Sequence, residues 1–219
     1  MNEALSAIDE TLRIPAPAPA PQALAFDGDL LWVGSWETER IYAIDPHRGS
    51  VREESAAPGK PVSAVAVGDE LRFVLSEADD SRFIRRYIPG HGFKSEAVQC
   101  PDDTGSFLAF DGERLWLSQR YNKRIIELDA ALRPVRTIPI GEEIIGFAWA
   151  RGVVILSTWL GRERGGCRIA TIDPNGPAPQ LRFVAAVPFA AVSLALDGRA
   201  CWTNDFKQNE IVRFTLPDF

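Results

Sequence analysis

The chain has 219 residues, 46% hydrophobic and 25% charged, the make-up of an ordinary globular protein and not of a disordered one. Its 24 basic residues against 30 acidic ones leave a net charge of −6, which argues against a general attraction to nucleic acid or to an anionic membrane. No apolar run reaches the ~18 residues of a membrane span. The opening MNEALSAIDE lacks the basic start and apolar stretch of a signal peptide, so a cytoplasmic location is expected. Cys100, Cys167 and Cys201 are too few and too far apart for a disulfide framework or a zinc site and are expected to be small buried hydrophobes.

Taken in chain order, residues 1 to 10 are expected to form a short helix, and Thr11 to Pro15 (TLRIP) a lone strand. The alternating Pro15 to Pro21 stretch reads as a stiff polyproline connection. From Gln22 onward one unit repeats. Leu24 to Ile44 (LAFDGDLLWVGSWETERIYAI) matches Leu108 to Leu128 (LAFDGERLWLSQRYNKRIIEL), and Trp32, Phe73, Trp116, Ile155 and Trp202 mark its copies. The anchors recur roughly every 42 residues, the period of a propeller blade.

Each copy reads as four short strands. The first begins at Gln22, Ser63, Ser106, Ile145 and Val192, and its fourth column holds Ala25, Ala66, Ala109, Ala148 and Ala195. A column of alanine predicts strands crowding around an axis where only a methyl group fits. Asp27-Gly28, Asp111-Gly112 and Asp197-Gly198 are hairpin turns to a second strand carrying the anchor. A third strand (RIYAID, FIRRYI, RIIELD, RIATID, EIVRFT) follows, and a fourth ends at Pro58, Pro101, Pro139 and Pro188, as suits an outer edge.

The last copy has only three strands, and TLRIP resembles the fourth-strand VRTIP at 135–139, so the N-terminal segment is expected to close the ring. The fold class predicted is all-β: one five-bladed β-propeller domain over 1–219. Its blades are near 22–60, 61–103, 104–141, 142–190, and 191–219 plus 11–15.

The Trp202-Thr203 to Asn209-Glu210-Ile211 segment, with Trp116 to Ile125, resembles the W-x-T-x-x-x-x-N-x-I repeat of NHL-like and streptogramin-lyase-like propellers. Gln22 to Gly28 (QALAFDG) and Trp36 to Val51 (WETERIYAIDPHRGSV) are similar to the F-T-Q-G-L-x-F-x-G and W-x-T-D-R-I-x-R-I-D-P-x-T-G-x-V segments of five-bladed glutaminyl-cyclotransferase-like proteins. The resemblance implies the propeller fold along nearly the whole chain but does not carry the chemistry. The acidic G-E-G and N-E-L-E openings of that family are Val62-Ser63-Ala64 and Ile145-Gly146-Phe147-Ala148 here, and its tyrosine-glutamate pair is Trp32-Val33. The lyases' central histidines are missing too, since His47 and His91 fall in third-to-fourth-strand turns on the opposite face.

Function is therefore sought at the axial mouth, where the fourth-to-first and second-to-third connections meet; this placing rests on analogy with other propellers. Candidate binding residues there are Gln22, Trp36, Ser63, Ser106, Arg120, Trp159, Arg162, Arg164 and Phe206. Aromatics in this column can stack on a planar or sugar-like ligand. The rim is acidic in blades one and two and basic in blades three and four. Such a mouth would orient a small polar or zwitterionic ligand, or a protein partner. No cofactor is implied. Glu77 and Asp205 are the catalytic candidates of the alternative, a cyclotransferase, lyase or lactonase-like enzyme, because a carboxylate pair across a mouth can exchange protons.

Overall fold

A computed structural model describes residues 5–161, 163 and 165–216 of the chain. It begins with strand β1 (Asp9–Pro15). Blade one comprises β2 (Pro21–Phe26), β3 (Leu31–Ser35), β4 (Arg40–Ile44) and β5 (Val51–Ala56). Blade two comprises β6 (Lys60–Val67), β7 (Glu70–Ser76), β8 (Arg82–Ile88) and β9 (Gly92–Gln99). Blade three is β10 (Leu108–Phe110), β11 (Leu115–Gln119), β12 (Arg124–Leu128) and β13 (Pro134–Pro139). Blade four is β14 (Ile144–Ala150), β15 (Val153–Trp159), β16 (Cys167–Ile172) and β17 (Arg182–Val187). β18 (Ala191–Asp197), β19 (Ala200–Asp205) and β20 (Glu210–Thr215) form blade five with β1 as its outer strand.

All five sheets are four-stranded and antiparallel, in the five-bladed propeller arrangement expected. The closing strand pairs Pro15 with Glu210 and Ile14 with Ile211, so the ring presents no open edge at this seam. Ile14 packs with Leu24, Leu31 and Trp202, joining the two ends of the chain in one core. Arg13 adds ion pairs to Glu10, Glu210 and Asp205.

Two local expectations are corrected. Within residues 5–10 no helix forms. The Ile8 N–H donates to the Ala186 carbonyl (3.0 Å) and the Ala186 N–H to the Ser6 carbonyl (2.9 Å), so this segment runs along β17 of blade four before turning into β1. The proline stretch is a bend, not an extended polyproline rod. Ala20 takes φ +51°, and its N–H donates to Asn209 Oδ1 (2.9 Å) while the Ala16 N–H donates to the Asn209 carbonyl (2.9 Å). One asparagine pins both ends of the crossing.

The core lies between blades. Trp32 faces blade two, Trp116 packs against Phe147 of blade four, Ile155 against Leu194 and Cys201 of blade five, and Trp202 against Leu24 and Val33 of blade one. Trp116 also stacks on Trp149 at 5.3 Å. Phe73 breaks the series. It turns back toward Trp32 and Ala25 of blade one, and Val74 is the side chain that meets Leu108 and Leu117 of blade three.

The cause is a one-residue offset in the sequence: Val65 pairs with Arg72 as Ala25 pairs with Trp32, so Phe73, paired with Ala64, falls on the other face of the sheet. The alanine column therefore holds in four blades. Ala25, Ala109, Ala148 and Ala195 line the axial channel of about 140 Å³, while Val65, not Ala66, stands at the centre of the blade-two lining. With Arg72 where its neighbours carry a large apolar anchor, the junction of blades two and three keeps a cavity of about 300 Å³.

The three cysteines are free and buried, and burial raises the Cys100 and Cys167 thiols to about 12. They stay protonated and act as core side chains.

Candidate functional site

The mouth is built where inner strands begin and second strands end. Bulges at Pro21/Ala23 and Pro61/Ser63 lift Gln22 and Val62 out of regular pairing at the start of β2 and β6. Trp36 follows β3 and is fixed by its N–H to the Ala20 carbonyl (3.0 Å). Its ring lies under two cations, Lys60 Nζ at 5.3 Å and the Arg82 guanidinium at 5.5 Å.

Blade three supplies the opposite wall. Gln119, fully buried at the end of β11, donates to the carbonyls of Pro101 (2.7 Å) and Thr104 (2.8 Å), and its Oε1 accepts from Arg124 (2.6 Å) and Asn122 (2.9 Å). This holds the connection from β9 to β10 against the mouth. Gly105 has no room for a side chain, because a Cβ would stand 2.6 Å from Cys100 Sγ. Ser106 Oγ accepts from the Arg120 N–H (3.0 Å) and so ties the inner strand to the loop carrying Arg120 and Tyr121. The Arg120 guanidinium pairs with Glu143 of blade four (3.1 Å) and lies over the rings of Trp159 (4.8 Å) and Tyr121 (5.2 Å).

These elements enclose a cavity of about 220 Å³. Five of the residues picked out from the repeat, Gln22, Trp36, Ser106, Arg120 and Phe206, line it together. Its other walls are Arg82, Tyr121, Phe107, Val62, Thr104 and Gly105, which the repeat columns did not single out. Tyr121 carried a readable signal as an aromatic beside Arg120 in a mouth loop. Arg82 counted in sequence only as a rim charge of blade two, because its place at the opening of a third strand does not reveal that it reaches Trp36 of blade one.

The remaining candidates sit elsewhere. Trp159 reaches the cavity only through Arg120, its own N–H donating to the Glu143 carbonyl (2.9 Å). Ser63 is buried and its Oγ accepts from the Leu108 N–H (2.9 Å), a tie between blades two and three. Glu77 is held by Arg85 through two contacts of 2.5 and 3.0 Å. Asp205 is buried, accepting from Arg13 (3.2 Å) and from the Gln208 N–H (3.3 Å). Neither carboxylate lines the cavity, and they belong to blades two and five. Arg162 and Arg164 lie outside the described residues.

The rim charges are matched locally. Asp80 pairs with Arg82 (3.1 Å), Asp102 with Arg124, and Arg40 with Glu54. Inside the cavity the balance differs: among the described residues that line it, the charged side chains are Arg82 and Arg120 and none is a carboxylate. Both histidines stand in exposed turns after β4 and β8. Among the described residues no group of three His, Cys, Asp or Glu side chains is placed to hold a metal ion.

No protein-family model matches the chain, and no curated protein matches it in sequence. Solved structures do match it in shape. The glutaminyl cyclase of Myxococcus xanthus superposes with a TM-score of 0.73 at 11% identity, covering 99% of this chain and 100% of that one. The PQQ-bound aldose sugar dehydrogenase of Streptomyces coelicolor gives 0.63 at 15% identity, over 98% and 83%. A chain of a nidogen/laminin complex gives 0.61 at 14% identity, over 85% and 89%. What the chain shares with these proteins is the β-propeller fold.

Proposed function

We propose that the protein is a binding module that takes a small molecule into the mouth cavity between blades one, two, three and five. The observation that carries this reading is convergence. Side chains from four blades meet at one concavity with two guanidinium groups, four aromatic rings and the polar Gln22 and Ser106. Apolar walls with a few placed polar groups are what a ligand site needs. The charged groups of the cavity, Arg82 and Arg120, are hydrogen-bond donors suited to holding a ligand.

The test is a binding panel followed by calorimetry and thermal shift, covering carboxylates, amino acids, sugars and short peptides. The reading expects at least one saturable binder whose affinity falls in Arg82→Gln and Arg120→Gln. A panel without a binder, or a binder indifferent to both changes, would contradict it.

A second reading is favoured by the match to glutaminyl cyclase over the full length of both chains. Under it the protein would cyclise an N-terminal glutamine with loss of ammonia, using Glu77 and Asp205. Incubation with a glutamine-initiated peptide, followed by mass spectrometry, decides it. Turnover lost in Glu77→Gln or Asp205→Asn would favour the enzyme, and no turnover would remove it.

A further inference from the structure

Resting on the binding reading above, we infer that the ligand of the mouth is a small carboxylate carried on a flat apolar body, and not a zwitterion, a cation or a neutral sugar. Charge is the first argument. Among the described residues Arg82 and Arg120 are the charged members of the lining, and the nearest carboxylates, Asp80 and Glu143, are already paired with them and do not line the cavity. Guanidinium groups meet carboxylates through paired, charge-assisted hydrogen bonds, which favour this anion over a point charge of other shape.

The state of the two arginines is the second. Each lies over an indole ring, Arg82 over Trp36 (5.5 Å) and Arg120 over Trp159 (4.8 Å); the Nε and Nη2 donors of Arg120 go to one Glu143 oxygen, so a ligand meets Arg120 through Nη1 or by displacing Glu143. Each has one carboxylate neighbour, and Asp80 beside Arg82 is 71% exposed, its Oδ1 shared between Arg82 and the Ser76 hydroxyl, so that this ion pair is screened by solvent. Arg82 Nη1 is buried with no hydrogen-bond partner. A buried donor without an acceptor is costly. A ligand oxygen that reaches this nitrogen satisfies a group left unsatisfied in the free protein.

The third argument is aromatic exposure. Among the described residues the exposed aromatic side chains are Tyr121 (77%) and Phe206 (41%), and both line this one cavity, from blades three and five. Exposed rings that converge on a concavity mark a place where apolar surface is to be covered. At about 220 Å³ the cavity is below the ~300–1,000 Å³ of drug-sized sites, which limits the body to about one ring or a short chain.

Phenylacetate is the probe, titrated by calorimetry into the full chain beside acetate, benzyl alcohol, benzylamine and phenylalanine. Phenylacetate should bind about tenfold more tightly than each of the others, with affinity falling about tenfold in Arg82→Gln and in Arg120→Gln. Arg120→Lys should recover little of the loss, because an ammonium cannot offer the paired donors. Tyr121→Ala, at an exposed position that leaves the fold intact, should weaken phenylacetate but not acetate. Equal or tighter binding of a neutral, cationic or zwitterionic probe at the mouth would overturn the inference and leave the binding reading standing. Failure of all five would also overturn it, while the binding reading falls only if the wider panel fails as well.

Discussion

The two ends of the propeller axis use their polar residues differently. At the end opposite the mouth, aspartates are consumed by the turns that carry them. Asp27 accepts from the N–H groups of Asp29 (2.9 Å) and Leu30 (2.8 Å) and from the Trp32 indole (2.6 Å); Asp111 repeats this with Glu113, Arg114 and Trp116. Asp45 and Asp129 cap the turns after β4 and β12 in the same way. The two arginines of the mouth cavity, Arg82 and Arg120, instead lie over rings and pair with one carboxylate each. A polar group saturated by its own turn is architecture, and one left with spare capacity beside a cavity can recognise something else.

Blade five shows what the four-residue hairpins of blades one and three achieve. There Asp197 pairs with Ala200 across a two-residue turn, its carboxylate lies 3.4 Å from Arg213, and the Trp202 indole N–H has no partner. The same dipeptide, Asp-Gly, thus serves two different turns.

Substitutions at the far end should cost stability and spare ligand binding. The largest loss is expected from Trp116→Ala, about 3–5 kcal/mol by chemical denaturation, because a fully buried ring that stacks on Trp149 leaves a cavity. Asp111→Ala should cost about 1–3 kcal/mol, since it strands the indole and two backbone donors. Trp202→Phe should be milder than Trp116→Phe when the two are compared by denaturant midpoint, because only Trp116 loses a hydrogen bond.

Acid separates the ends too. The Arg52 guanidinium, with backbone donors, holds Asp45 below the usual carboxylate range, and the Arg133 N–H does the same for Asp129. For Asp111 burial pushes the pKa up, but the bonds from Trp116 and the turn outweigh it and the net shift is downward. Folded values below unfolded ones mean that this stabilisation is present above pH ~4 and is lost as pH falls through the folded values. The melting temperature should therefore drop below pH 4, and less steeply in Asp111→Asn. Smallest of all is the expected stability change of Arg120→Gln, within about 1 kcal/mol for a partly exposed ion pair, while the proposed affinity for phenylacetate falls about tenfold.

Much of the scaffold is legible in the sequence because strand periodicity, turn residues and the TLRIP segment are local signals. Blade two is not, because the spacing from Ala66 to Phe73 equals that from Ala25 to Trp32. The equivalent pair is Val65 with Arg72, at the same spacing one residue earlier, and the residues alone do not announce that offset. The mouth is half legible. Columns find Gln22, Trp36, Ser106, Arg120 and Phe206, but not Arg82, whose role depends on Trp36 of the preceding blade. The sign difference read around the rim ignored third-strand and cross-blade partners such as Arg85 and Glu143, which neutralise it locally.

The indole N–H resonances of the six tryptophans report both ends in a single titration. Trp36 and Trp159 stand at the mouth, while Trp32 and Trp116 are tied to far-end aspartates. Adding phenylacetate to the labelled protein should move the Trp36 and Trp159 signals along a saturable curve and leave Trp32 and Trp116 in place. Movement confined to Trp32 and Trp116, or no movement at any tryptophan, would contradict the assignment of the mouth as the ligand-binding end.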